Sequence, residues 1–313
     1  MLSATLITIK SKSRSRQFLE YFFYSNAFYG VCAVALSIEA SLQQLTPLNP
    51  WPYYFFVFGA SILYYAYPYV QRYKSVDVNP RTTWYRRHFI LMRWHQVILS
   101  LVLSFLAGWT LIHYFDVIPY ISGGEWVALL IFPVAGVLYY GIDFLFGRYS
   151  LRRNGWLKPF VIGFTWAGVV TVYPVLFHAI VNRLDYQPNW FSFLLFIKNL
   201  MFVAVLCIMF DIKDYATDHN NSLRTFVVKI GLRRTLFYIL LPLTLLGLVT
   251  FVSYALGQHF HAMKILLNTI PFLGLIAAIY ALRRRRRLMY YLVVIDGLML
   301  LKAICGSVAM TFF

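Results

Sequence analysis

The sequence predicts an all-α polytopic membrane protein: one helical domain over residues 1–313, a bundle of about nine transmembrane helices with a cytoplasmic N-terminus. Composition is the first reason, because 60% of residues are hydrophobic, 19% aromatic and only 12% charged, against about 25% charged in an ordinary soluble domain. The second is that apolar runs recur at about the 20-residue length a bilayer-crossing helix needs. The third is where the basic residues fall, which is treated after the segments themselves.

The predicted spans lie at about 18–42, 51–70, 89–115, 125–147, 159–181, 191–210, 235–256, 263–282 and 289–312. The first is too long for a cleaved leader and no small-residue cleavage site follows it, so it is expected to stay as a span. The connections on one side are short and rich in turn formers: TPLNP at 46–50, ISGG at 121–124 and LDYQPN at 184–189. Those on the other side are longer, and none is long enough to be a separate soluble domain. Helices in lipid satisfy their own backbone hydrogen bonds, so an all-α bundle follows. An internal or inverted repeat stays open, since none stands out in the residues themselves.

The net charge of +17 would suit a nucleic-acid partner only if the basic residues formed one surface. Instead, 23 of the 28 Lys and Arg precede the first span or follow the second, fourth, sixth and eighth. The opposite connections hold only Arg183 and Lys264, and Arg93, Lys198 and Lys302 fall inside spans. This is the positive-inside pattern, so the charge reports topology and no nucleic-acid role is expected. The run Arg283 to Arg287 reads first as part of that pattern, with attraction to anionic lipid headgroups as the alternative. Cys32, Cys207 and Cys305 lie within spans without disulfide or metal spacing.

Only 11 residues are acidic, yet FDIKDYATDHNNSLRTFVVKIG at 210–231 places Asp211, Asp214 and Asp218 together at the end of the sixth predicted span. On a helix continuing from that span they stand at i, i+3 and i+7 and share a face. Three convergent carboxylates need cations. Lys213 is close in sequence but is expected to point elsewhere, so Mg²⁺ suits the hard oxygens better. The plainer alternative is pairing with nearby Lys and Arg. Asn26 in the first span and Asp143 near the end of the fourth are expected to face a polar interior or to join helices. Arg93 and His95 are read as snorkelling or bridging groups, and Asp296 and Lys302 are not expected to pair.

D-I-K-D-x-x-x-D, with Leu-Arg-Thr at 223–225 and V-V-K-I-G at 227–231, resembles the second aspartate-rich motif of the UbiA superfamily of intramembrane prenyltransferases. Tyr149-Ser-Leu-Arg-Arg153 is similar to that family's Y-x-x-x-K element with Arg in place of Lys, and N-G-W-L-K-P at 154–159, reaching Trp166, also resembles it. The resemblance implies transfer of a prenyl group from a prenyl diphosphate to a small lipophilic or aromatic acceptor, with Mg²⁺ at Asp211, Asp214 and Asp218. It further implies catalytic roles for Tyr149 and Arg153, substrate binding by Arg72, Asp77, Lys158, Arg224 and Asn26, and a location in a bacterial cytoplasmic membrane with the site facing the cytoplasm. The family's first motif, N-x-x-x-D-x-x-x-D, is not intact: Tyr65, Tyr69, Tyr73 and Asp77 occupy the corresponding steps, and Ser222 stands where the second motif has Gly. Three outcomes stay open. One Mg²⁺ suffices, or Arg72 and Arg81 bind phosphate in its stead, or the fold binds isoprenoid or lipid without turnover.

Overall fold

The computed structural model describes residues 14–71, 80–145, 155–220 and 225–313; the side chains of 16, 71, 140–145 and 216–218 lie outside the description. All regular structure among the described residues is helical. Six helices are long and apolar enough to cross a membrane, and a bent pair makes up to seven. The chain is therefore an integral multi-pass membrane protein.

The bent pair is α1 (Arg14–Tyr24) and α2 (Ala27–Gln43), which meet at 61°. The sequence suggests one continuous first span, but Asn26 adopts a left-handed φ of 71° and stops the helix there. Asn tolerates this region better than most residues, which explains a break without Gly or Pro. Then follow α3 (Trp51–Gln71), the short α4 (Pro80–Arg87), α5 (Phe89–His113) and α6 (Gly123–Leu145). The start of α6 is a capping box: Ser122 N–H and Oγ–H both donate to Glu125 Oε2, at 2.8 and 2.9 Å.

α7 (Lys158–Ala167) runs through a π turn, Gly168–Val172, into α8 (Tyr173–Val181). α9 (Trp190–Lys213) starts where Asn189 Oδ1 accepts from Ser192 N–H at 2.8 Å. It ends in α10 (Tyr215–Asn220) after one non-helical residue, Asp214. Beyond these lie α11 (Phe226–Ile230) and α12 (Leu232–Arg234), whose π turn Thr235–Leu240 leads into α13 (Leu241–Gly257). α14 (Ala262–Ala281) and α15 (Leu288–Tyr290) follow, the latter joined by a π turn, Tyr291–Ile295, to α16 (Gly297–Phe312).

Packing orders these helices. α9 lies between α7 and α13; α13 meets α14, α14 meets α16, and α16 meets α2, which returns to the turn at Gly168–Val172. The most apolar window of α9 is 61% buried, whereas that of α5 is 17% buried. α9 is thus a central helix, and α5 presents its flank to lipid. Residues from α2, α9, α13, α14 and α16 make up most of the hydrophobic core, so polar side chains on these helices are buried whether or not they serve a ligand.

Candidate functional site

The end of α9 gathers two carboxylates and two lysines. Asp211 is fully buried, and its Oδ1 accepts from Lys158 Nζ at 2.6 Å. Lys158 is the first residue of α7, so the α7–α9 contact itself delivers the cation. Asp211 Oδ2 has no hydrogen-bond partner among the described residues. Asp214 pairs with Lys213 Nζ at 2.5 Å and keeps 38% of its side chain exposed. Lys213 was expected to point elsewhere. The correction follows from the helix end: Asp214 leaves helical geometry, and its carboxylate swings beside its neighbour.

That same interruption changes the reading of the triplet. Asp218 belongs to α10, a separate short helix, so Asp211, Asp214 and Asp218 do not lie on one uninterrupted helix. The side chain of Asp218 lies outside the described residues, as does that of Asp143. Arg72, Asp77, Tyr149, Arg153 and Arg224 also lie outside the described residues. No group of three or more His, Cys, Asp or Glu side chains able to hold a metal forms among the described residues.

A second buried carboxylate, Asp296, has no site role in the sequence reading. Asp296 is buried at the joint between the π turn Tyr291–Ile295 and α16, where it accepts from Tyr29 Oη–H at 2.7 Å. Tyr29 stacks on Tyr65 with ring centroids 4.6 Å apart, and Trp166 Nε1–H donates to the Tyr65 hydroxyl. Tyr65 thus joins Tyr29 and Trp166 in an aromatic cluster. Asp211 and Asp296 both act electrostatically on Cys207, one turn before Asp211, and Phe210 and Tyr291 lie 5.6 Å apart. Asp211, on α9, and Asp296, at the start of α16, therefore lie toward the same end of α9.

Asn26, Arg81 and Tyr85 close this region at the bend between α1 and α2. Arg81 is buried on α4 and donates to the carbonyls of Phe23 and Tyr24, at 3.4 and 3.1 Å, and to Asn26 Oδ1. These carbonyls end α1 and lack the N–H donors of a further helical turn, so a cation is favoured there. Asn26 Nδ2–H donates to Tyr85 Oη at 3.1 Å, and the guanidinium rests 4.6 Å over the Tyr69 ring. Burial pushes the Tyr85 phenol above its ordinary pKa, so it stays neutral across physiological pH. Asn26 thus joins the α1–α2 bend to α4.

A separate polar cluster crosses the bundle toward the other ends of α2, α9 and α16. Glu39 accepts from Lys302 Nζ at 2.5 Å and lies 3.6 Å from Lys198 Nζ. Gln43 accepts from Lys198 at 2.8 Å and donates to Glu39 and Asn268, both at 2.9 Å. As expected, Lys302 does not pair with Asp296. Comparison with known proteins adds no relative: no family model, curated protein or solved structure matches this chain.

Proposed function

We propose that the chain is an intramembrane prenyltransferase whose diphosphate site lies at the Lys158–Asp211–Asp214 end of α7 and α9. The observation that carries this reading is Asp211, a fully buried carboxylate with one oxygen held by Lys158 and the other without a described partner. An unmatched buried carboxylate oxygen is costly. Mg²⁺ fits it chemically, because this ion commonly takes one or two carboxylates and completes its shell with substrate phosphates and water. Asp211 and Asp214 would hold the ion, with Asp218 as a third donor; when bound, it would neutralise diphosphate charge and ease departure of the leaving group.

The chain's own residues supply the rest. Lys158 and Lys213 offer ammonium groups that can turn from carboxylate to phosphate, and Lys158 keeps 26% of its side chain exposed. The Tyr29, Tyr65 and Trp166 rings present faces suited to an allylic cation. Asp296, held by Tyr29, would take a proton from the acceptor. In this reading the nine predicted spans all cross a bacterial cytoplasmic membrane, with the N-terminus and the site on the cytoplasmic side.

A second reading rests on the ion pairs. Lys158 and Lys213 already balance Asp211 and Asp214, as a protein that binds isoprenoid or lipid without turnover would need. The two separate in one experiment: purified protein with Mg²⁺ and labelled geranylgeranyl or longer prenyl diphosphate, assayed against membrane extract. Product that disappears in Asp211→Asn and Asp214→Asn supports the transferase. Turnover surviving both changes sinks the site assignment, and Mg²⁺-dependent diphosphate binding without product favours the second reading.

A further inference from the structure

Away from this site, a cavity of about 500 Å³ is lined by Leu232, Arg233, Leu236, Phe237 and Arg283. It lies where the turn Thr235–Leu240 meets the end of α14, and its two cations come from different parts of the chain. Arg283 is seated on two aromatic rings, its guanidinium 4.8 Å over Phe237 and 4.6 Å over Tyr280. Neither Arg233 nor Arg283 has an acidic partner among the described residues.

The five consecutive arginines are not equivalent. Arg286 Nε–H donates to Ala281 O at 3.1 Å, capping α14, and the same guanidinium lies 5.0 Å over the Tyr290 ring. All five are exposed, as a charge acting on topology requires, so exposure does not separate them; their contacts do. Arg283 alone of the run enters the cavity lining. A topology signal needs positive charge on this side; it does not need a guanidinium held on two aromatic rings in a cavity lining that a second arginine shares.

The surroundings identify depth. Tyr238 and Tyr280 are 75% and 48% exposed beside the cavity, and Leu232 is 38% exposed at its rim. Exposed tyrosines at the end of apolar helices mark the headgroup level of a bilayer. A cavity at that level with two guanidiniums that lack an acidic partner among the described residues, and with apolar Leu236 and Phe237 in its lining, offers forked donors to a phosphodiester and contact to the upper part of an acyl chain.

We infer that the Arg233–Arg283 cavity is a binding site for the phosphate of an anionic membrane phospholipid. The site does not depend on the transferase reading, and its test does not use turnover. Delipidated protein in detergent would be titrated with phosphatidylglycerol, phosphatidylcholine and inorganic phosphate, with bound lipid counted by native mass spectrometry. Phosphatidylglycerol is expected to bind well ahead of phosphatidylcholine. Arg233→Gln/Arg283→Gln should weaken phosphatidylglycerol about 30-fold, the effect of two interfacial cations. Arg284→Gln/Arg285→Gln removes equal charge from positions outside the cavity lining and should have a much smaller effect.

Equal binding of the two lipids by the unaltered protein would overturn the inference, and that arm needs no variant to fold. So would equal losses in the two double variants, which would show diffuse attraction. Displacement of phosphatidylglycerol by millimolar inorganic phosphate would replace the lipid with a free-phosphate site and overturn it as well.

Discussion

Glu39 holds two ammonium groups at once, and this makes its removal unequal to theirs. Glu39→Gln would leave Lys198 and Lys302 buried together without a counter-charge, whereas Lys302→Met would leave Glu39 balanced by Lys198 and Gln43. Breaking a buried pair so that charge is stranded costs about 3–5 kcal/mol, while replacing an ion by an apolar group of similar volume is often nearly neutral. Thermal unfolding in detergent should therefore show Glu39→Gln as far the less stable variant; equal melting points would refute the charge argument. Asp296 gives a parallel case. Tyr29→Phe removes the hydroxyl it accepts from, so stability should fall by about 1–3 kcal/mol, and Asp296→Asn in the same background should recover part of the loss. Neither arrangement was legible in the sequence. Glu39 and Lys302 lie 263 positions apart, and Tyr29 and Asp296 lie 267 apart. Local spacing carries no record of such partners. Asp211 was legible because its neighbours in the chain share its chemistry.

At the scale of helices, the sequence was most informative where apolar length alone decides the outcome. The segments predicted at 191–210 and 263–282 fold as Trp190–Lys213 and Ala262–Ala281. It was least informative where a helix bends or rewinds: the break at Asn26 has no Pro or Gly beside it, and Pro174, Pro242 and Gly297, each two residues past a π turn, sit inside apolar runs that read as unbroken spans. The α7–α9 contact joins this scale to the candidate site. At Gly163 a Cβ would stand 2.8 Å from Leu200 O, a backbone atom that cannot rotate away. Small residues allow such close approach between membrane helices. Gly163→Ala should therefore force α7 outward and cost about 1–3 kcal/mol. Lys158 begins the same helix five residues earlier, so the change should also loosen its pair with Asp211. A double-mutant cycle between Gly163→Ala and Lys158→Met would read that coupling, and strict additivity would exclude it.

For the whole molecule, the question is how many helices cross the membrane, since six pass on length and hydropathy and the bent pair makes seven. The two helices in doubt are α3, 21 residues with Pro68 inside, and α6, 23 residues with Pro133 inside. Their lengths of about 30 Å match a hydrocarbon core. Parity tests each separately. Leu48 and Ser122 flank α3 and α5, so cysteines placed there face the same side if α3 crosses and opposite sides if it does not. Ser122 and Arg285 are separated by α6, the α7–α8 rod, α9, α13 and α14. They face opposite sides only if α6 crosses together with the other four. The native Cys32, Cys207 and Cys305 lie within helices, two of them buried, and give little background. A membrane-impermeant thiol reagent should label Leu48→Cys and Ser122→Cys in intact cells, and Arg285→Cys only in inverted vesicles. Labelling of Leu48→Cys and Ser122→Cys on opposite sides would remove α3 from the spans. It would also leave the clustered arginines without a common side, and the charge pattern that orients the chain would need another cause.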